Sequence, residues 1–276
     1  MWNLANDYNL PKSIYISKMD RENIDFEALL SSIKSTFGRQ CVPMQVPLGG
    51  DEFSGTVNIL QSDGNSEADP DQAEYMREEL IELVAETDDE LATKYLEGET
   101  LTDEELLSGL KTGIKSGAII PVFMGSTQID ATATEFLDSI VSFFPNPLDE
   151  TEIKAVKAGT SDPVEISHDS SSLAALIFKT SADPFVGKLS YIKIYSGNLK
   201  SDSTIWNANA KESERIGQVY SMRGQTQENV DQISVGDIGT LTKLSSALTG
   251  HTLTTKDANI ELNGINFPNP VYNMSM

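Results

Sequence analysis

One cysteine, Cys41, and two histidines, His168 and His251, are the only thiol and imidazole groups in a chain of 276 residues. A lone thiol closes no intrachain disulfide, and two distant histidines do not form a zinc spacing. Cys41 precedes Val42-Pro43 at the start of a strand-like run, where a small buried thiol is the plainer reading than a nucleophile. Basic side chains are scarce too: 20 Lys and Arg against 42 Asp and Glu, a formal net charge of −22. That balance weighs against wrapping DNA or RNA by general electrostatics, which takes clustered cations, and leaves room only for a local basic patch. No apolar run approaches the roughly 20 residues needed to span a bilayer, so no membrane partner is expected. The opening residues MWNLANDYNLPKS have neither the cationic start nor the apolar centre of a signal peptide, and the cytoplasm is the expected compartment.

What the sequence does have is enough apolar content, 39%, for two or three packed cores. Residues 1–38 read as helix, strand, loop, helix. The strand is Ile14–Ile16, and Phe26, Leu29, Leu30, Ile33 and Phe37 recur at helical spacing up to Gly38. From residue 39 the pattern changes. CVPMQVPLGGDEFSGTVNILQ reads as two short strands about a Gly-Gly-Asp turn, and SDGNSEADPD as a loop. One long acidic helix over 71–96 follows, and then a helix opened by a Thr102-x-x-Glu105 capping box. A solvated face is the plainer reading of the acidic helix than a docking surface. AIIPVFMGST is a second strand, and TATEFLDSIVSFFPNP a helix stopped by Pro145 and Pro147. Beyond Asp149–Asp162, a charged stretch without period, SLAALIFKT, GKLSYIKIYSG, STIWNANA, RIGQVYSM, DIGTLTKL and HTLTT predict an all-β barrel or sandwich from about 165. Within it, Asp183, Pro184 and Gly187 predict a turn. Tyr191 and Tyr195 share strand parity with Leu189 and are expected in the core. Lys188, Lys193 and Lys200 are the only candidates for a local RNA contact.

Both α/β strands end in residues of interest. Ile14–Ile16 runs into Ser17-Lys18-Met19-Asp20, and the second strand into Gly125-Ser126-Thr127. In open α/β sheets ligands sit at the carboxyl ends of strands. An Asp there accepts a pair of hydrogen bonds from the N1–H and N2–H₂ edge of guanine, which adenine cannot supply. The Lys stem lies along the base, and amides of the second loop meet O6. Either motif alone is weak, since three-letter matches arise by chance; the two together carry more weight.

The chain resembles the elongation factor G family of translocation GTPases. The residues that carry the resemblance are YISKMDRENIDF (15–26), CVPMQVPLGGDEFSGTVNIL (41–60), REELIELVAETDDELATKYLEGE (77–99), IIPVFMGS (119–126), FFPNPLD (143–149), DPFVGKLSYIKIYSGNLKSDS (183–203), VGDIGTL (235–241) and FPNPV (267–271). The resemblance implies an α/β remnant of a P-loop GTPase domain with an inserted α+β subdomain, followed by a translation-factor β-barrel. Its boundaries are 1–38 and 113–150 for the two G-domain segments, 39–112 for the insertion and 151–276 for the barrel. It implies that Ser17, Lys18, Asp20, Ser126 and Thr127 form the guanine site of a GTP- or GDP-binding protein. It also implies that Mg²⁺ and the phosphates are held by groups outside this stretch, and that the ribosome is the partner through ribosomal RNA and the stalk protein. No catalytic residue and no metal ligand is assigned within these residues. Four positions depart from the family pattern: Ser17 stands for Asn, Thr127 for Ala, Lys243 for Gly and His251 for Asp. The sequence holds no G-x-x-x-x-G-K-[ST] phosphate loop. The chain is therefore expected to be a piece of a larger GTPase that is inactive alone and self-associates through its open sheet edge. The alternative is a non-catalytic ribosome-binding module with a vestigial guanine site.

Overall fold

In the computed structural model, four helices of the first unit begin where a short polar side chain closes the first turn. Asp25 accepts from Ala28 N at 2.9 Å and opens α2 (Phe26–Phe37); α1 is Trp2–Asp7. Asp69 accepts from Asp71 N and Gln72 N and opens α3 (Pro70–Ala85), with Pro70 in the first turn where its missing N–H costs nothing. Asp88 accepts from Glu90 N and Leu91 N and opens α4 (Asp89–Leu96). Thr102 and Glu105 form the expected capping box of α5 (Asp103–Ser116), which ends at Gly117 with φ 78°. The Asp88 cap is why the single helix expected over 71–96 is two: its carboxylate takes the amides that a continuous helix would have paired internally. The last helix is α6 (Asp130–Phe143).

The structure describes residues 1–49, 52–61, 68–149, 153–184, 187–224, 226–265 and 267. Gly50 and Asp51 of the expected turn, residues 62–67 of the expected loop, and most of FPNPV lie outside these. The chain divides into two units, Met1–Pro145 and Asn146–Met276.

The first unit is built on a three-stranded parallel sheet. Its central strand, β5 (Ile120–Met124), pairs with β1 (Ile14–Ile16) on one side and β2 (Cys41–Pro43) on the other. All five residues of β5 are buried, as an uninterrupted apolar run requires when both faces are covered. On one face Trp2, Ile33 and Phe37 pack against Cys41, Ile120 and Val122. On the other Phe123 meets Phe136 of α6 at 5.0 Å between ring centres. A hairpin of β3 (Gln45–Leu48) and β4 (Gly55–Asn58) follows β2, and α3, α4 and α5 share the core behind it. Two expected boundaries move. The insertion does not start at 39, because Cys41–Pro43 belong to the parallel sheet, and 112 falls inside α5, whose burial of Leu110 and Ile114 runs through that point.

The second unit is all β. An antiparallel sheet has the order β12 (Glu212–Arg215), β11 (Thr204–Asn207), β17 (Thr252–Thr254), β8 (Ala174–Asp183), β9 (Gly187–Ser196), β16 (Ile238–Thr242), β13 (Val219–Arg223), β14 (Thr226–Val230). Ile205 near one end and Val219 near the other share one core with Ile177, Ile192, Ile194, Leu241 and Leu253, so the sheet rolls round on itself. The pairing of β10 (Leu199–Lys200) with β15 (Gln232–Ile233) and the bond from Asp202 N to Gly217 O tie its two ends together. A separate sheet joins β6 (Ile153–Lys157), β7 (Pro163–Ile166) and β18 (Ile260–Leu262). The stretch 149–162 expected without structure therefore contains a strand, whose alternation of buried Ile153 and Ala155 is too short to stand out among its lysines.

The expected core role of Tyr191 and Tyr195 is corrected. The buried residues of β9 in this stretch are Ser190, Ile192, Ile194 and Ser196, and the tyrosines take the other face, half-buried. There the ammonium groups of Lys179 and Lys193 lie 5.6 and 4.9 Å from the Tyr191 and Tyr195 ring centres. Tyr195 also packs against the small cluster around Ile153 and Ile260. Asp183 pairs with Gly187, whose φ of 81° suits the expected turn.

The connection from β16 to β17 is pinned by side chains. Glu214, 2% exposed, accepts from Ser245 N and Oγ at one oxygen and from Ser246 N and Oγ at the other. Lys188 donates to Ala247 O, and Asn207 Nδ2 meets His251 Nδ1 at 3.2 Å. Lys243 has φ 59°, backbone territory that favours glycine.

Candidate functional site

The parallel register places the two loops side by side: Ile16 faces Met124, so Ser17 and Gly125 leave adjacent strand ends. Gly125 N donates to Ile16 O at 3.0 Å and Met19 N to Gly125 O at 3.2 Å, which stitches the exits together. A side chain on Gly125 would overlap the Tyr15 hydroxyl and lie 2.7 Å from Thr132 Oγ1, so only glycine permits this approach. Met19 is buried among the first unit's core residues and anchors the first loop. Lys18, exposed, takes φ 64°, a left-handed turn that directs the chain from β1 toward Asp20.

Asp20 and Ser126 come together. A hydrogen bond from the Ser126 side chain, outweighing partial desolvation, holds the Asp20 carboxyl below its usual range. Ser126 itself is 2% exposed. Its N–H donates to Thr132 Oγ1 at 3.2 Å, its O accepts from Ile129 N at 3.1 Å, and its Oγ accepts from Gln128 N at 3.0 Å. Thr127 is exposed at the tip. The arrangement offers an ionised carboxylate, backbone amides of an exposed loop and a flexible lysine stem: acceptors for a pair of ring N–H groups, donors for a carbonyl, and an apolar surface for a flat ring. Ser17 is exposed beside them.

The barrel lysines are not brought together as a patch. Lys188 is spent on Ala247 O, Lys193 lies on a ring, and Lys200 stands exposed on β10. Among the described residues no group of three or more His, Cys, Asp and Glu converges as a metal site, and no helix is long and apolar enough to cross a membrane.

Sequence reasoning did not find Thr132, whose hydroxyl acts across a turn and leaves no spacing signature. Gln45 was missed too: 1% exposed, it accepts from Met124 N at 3.0 Å and donates to Glu135, so it braces the last residue of β5.

Against known proteins, a crystal structure of a protein from Thermus thermophilus superposes with a TM-score of 0.78 at 24% identity, covering 98% of this chain and 40% of that one. The chain thus has the fold of a part of that protein and spans 40% of its length. Residues 172–256, from just before β8 to just past β17, match the family described as elongation factor G domain 2. The rolled sheet of the second unit is thus the part of the chain that resembles elongation factor G domain 2.

Proposed function

We propose that this chain is part of a GTP-binding translation factor of the elongation factor G type, working on the ribosome in protein synthesis. Its first unit reads guanine through Lys18, Asp20 and the Ser126-Thr127 loop, and its second unit is the domain that meets the ribosome. The observation that carries the reading is the side-by-side exit of the Asp20 and Ser126 loops from two paired parallel strands, stitched by the Gly125 backbone bonds. It sets a carboxylate on one loop beside the backbone amides of the other, the pair that the N1–H, N2–H₂ and O6 of guanine require. The fold of the first unit supports an α/β GTPase remnant. GTP's γ-phosphate chemistry is supplied by a phosphate loop, its Lys and Mg²⁺, and none of those groups is assigned to a residue here. The chain's own residues hold and orient the base.

The test is titration of the chain with a fluorescent GDP analogue. Very weak binding and no GTP hydrolysis are expected, because much of a nucleotide's affinity comes from its phosphates. In a longer protein that carries a phosphate loop, Asp20→Asn is expected to shift preference from guanine to xanthine, since the amide donates to the 2-oxo group where Asp only accepts. Unchanged base preference would remove Asp20 from the site. One observation favours a second reading, a ribosome-binding module with a vestigial site. Ser17 is exposed with a short hydroxyl where an amide would reach the base. Tight, guanine-selective binding by the longer protein decides against it.

A further inference from the structure

We propose that Thr132 is the positioning residue of the base-reading loop: it consumes the Ser126 amide and leaves the Thr127 N–H as the loop's donor to the guanine oxygen. This rests on the guanine reading above. The hydrogen bonds of the loop run as a closed set. Gly125 N and O are taken by Ile16 O and Met19 N. Ser126 N is taken by Thr132 Oγ1 at 3.2 Å and Ser126 O by Ile129 N at 3.1 Å, while the single Thr132 hydroxyl proton has Ile129 O at 2.9 Å and Ser126 O at 3.1 Å as its acceptors. Gln128 N bonds to Ser126 Oγ, and Thr132 N to Ile129 O. Among the described residues, no partner is seen for Thr127 N, and Thr127 is exposed.

Thr132 is fully buried, so water does not replace its hydroxyl. It accepts from the Ser126 amide and spends its own proton on the turn carbonyls of Ile129 and Ser126, and thereby holds the peptide plane that carries the next amide outward. It also keeps a second donor away from the base. Two amides pointing at the ligand would welcome a carboxamide or phosphate as readily as a purine carbonyl; one amide opposite one carboxylate matches the donor and acceptor order of guanine. Removing the hydroxyl orphans the buried Ser126 N–H, which must then turn outward to find water and carries Thr127 with it.

The experiment uses the whole chain, ¹⁵N-labelled, titrated with guanosine and with adenosine, alongside amide exchange. In the wild type, guanosine and not adenosine is expected to shift Asp20 and Thr127, and the Ser126 amide is expected to exchange slowly. Thr132→Val is expected to weaken guanosine binding roughly tenfold or more and to expose the Ser126 amide to exchange. Thr132→Ser keeps the hydroxyl and is expected to restore both, which a role in packing alone would not produce. Guanosine binding unchanged in Thr132→Val overturns the proposal and leaves the guanine reading intact. A serine variant that behaves like valine also overturns it. Absence of any guanosine-specific shift in the wild type overturns the guanine reading, and this proposal with it.

Discussion

Glu214 lends itself to a quantitative test. Its carboxylate is buried inside the second unit and receives two hydrogen bonds at each oxygen, all four from Ser245 and Ser246. Glu214→Gln keeps shape and one oxygen. Whichever way the new amide turns, one serine retains both bonds and the other presents its backbone N–H to an NH₂ group. The hydroxyl of that serine can rotate to accept; the backbone amide cannot. One buried amide is orphaned, at about 1–3 kcal/mol, and the surviving bonds lose their charge assistance. Relief from burying a charge offsets part of this. The net expectation is a loss of about 2 kcal/mol, a fall in melting temperature of roughly 6–10 °C for a unit of this size. Urea unfolding followed by Trp206 fluorescence in a Trp2→Phe background reports the second unit alone. The pH dependence sharpens the test. Burial pushes the Glu214 carboxyl up, but the four bonds outweigh it and leave it below its ordinary value of 4.5. Its contribution is thus fully present above that value and is lost as pH falls through the lowered one. The gap between wild type and Glu214→Gln should shrink on acidification. A gap under about 0.5 kcal/mol at neutral pH, or one that stays constant into acid, would refute the argument.

Burial and the nearby Lys188 lower His251, against the pull of Glu214 and Glu261. The unfolded chain then binds the proton first, so stability is present above the ordinary His value and falls as pH drops through the lowered one; His251→Asn should flatten that slope in urea titrations near pH 6. Gly125→Ala should cost the first unit about 1–3 kcal/mol, because the new methyl meets Tyr15 and Thr132. Tyr15→Phe in that background should recover part of it in a double-mutant cycle, and strict additivity would disprove the clash. Val141, 86% exposed, and Leu137, 59% exposed, sit on α6, and β1 is an edge of the sheet. Sedimentation should show mass rising with concentration, reduced by Val141→Lys; a monomer at every concentration refutes this.

Much of this was legible because the two apolar runs Ile14–Ile16 and Ile119–Met124 end abruptly in polar residues, which marks strand exits whatever the rest of the fold. The Thr102 cap was readable for the same local reason. What was not readable depends on neighbours. Asp88 breaks a helix whose apolar period continues across it, so pattern alone joined the halves. The parity of Tyr191 was counted from Leu189, but Leu189, though buried, is not among the rolled sheet's core residues, whose members on β9 are Ile192 and Ile194 of the opposite parity. Thr132 is visible only when the turn from Ser126 to α6 is closed, since nothing in TATEF distinguishes a threonine that holds a loop from one that faces water.

The place of β5 in its sheet carries a consequence for how the chain comes to be folded. β1 and β2 do not touch each other; each pairs only with the strand that lies between them and arrives much later. Until Ile120–Met124 has been synthesised β1 and β2 lack the strand that joins them, while the intervening hairpin and helices are made. Helices and the β3–β4 hairpin can form early from local contacts, but closure of the first unit spans a long loop and should be its slow, late step. The same insertion of one strand between two earlier ones draws the Asp20 loop against the Ser126 loop. The joining of β1 to β2 through β5 and the meeting of the two loops therefore come in a single event.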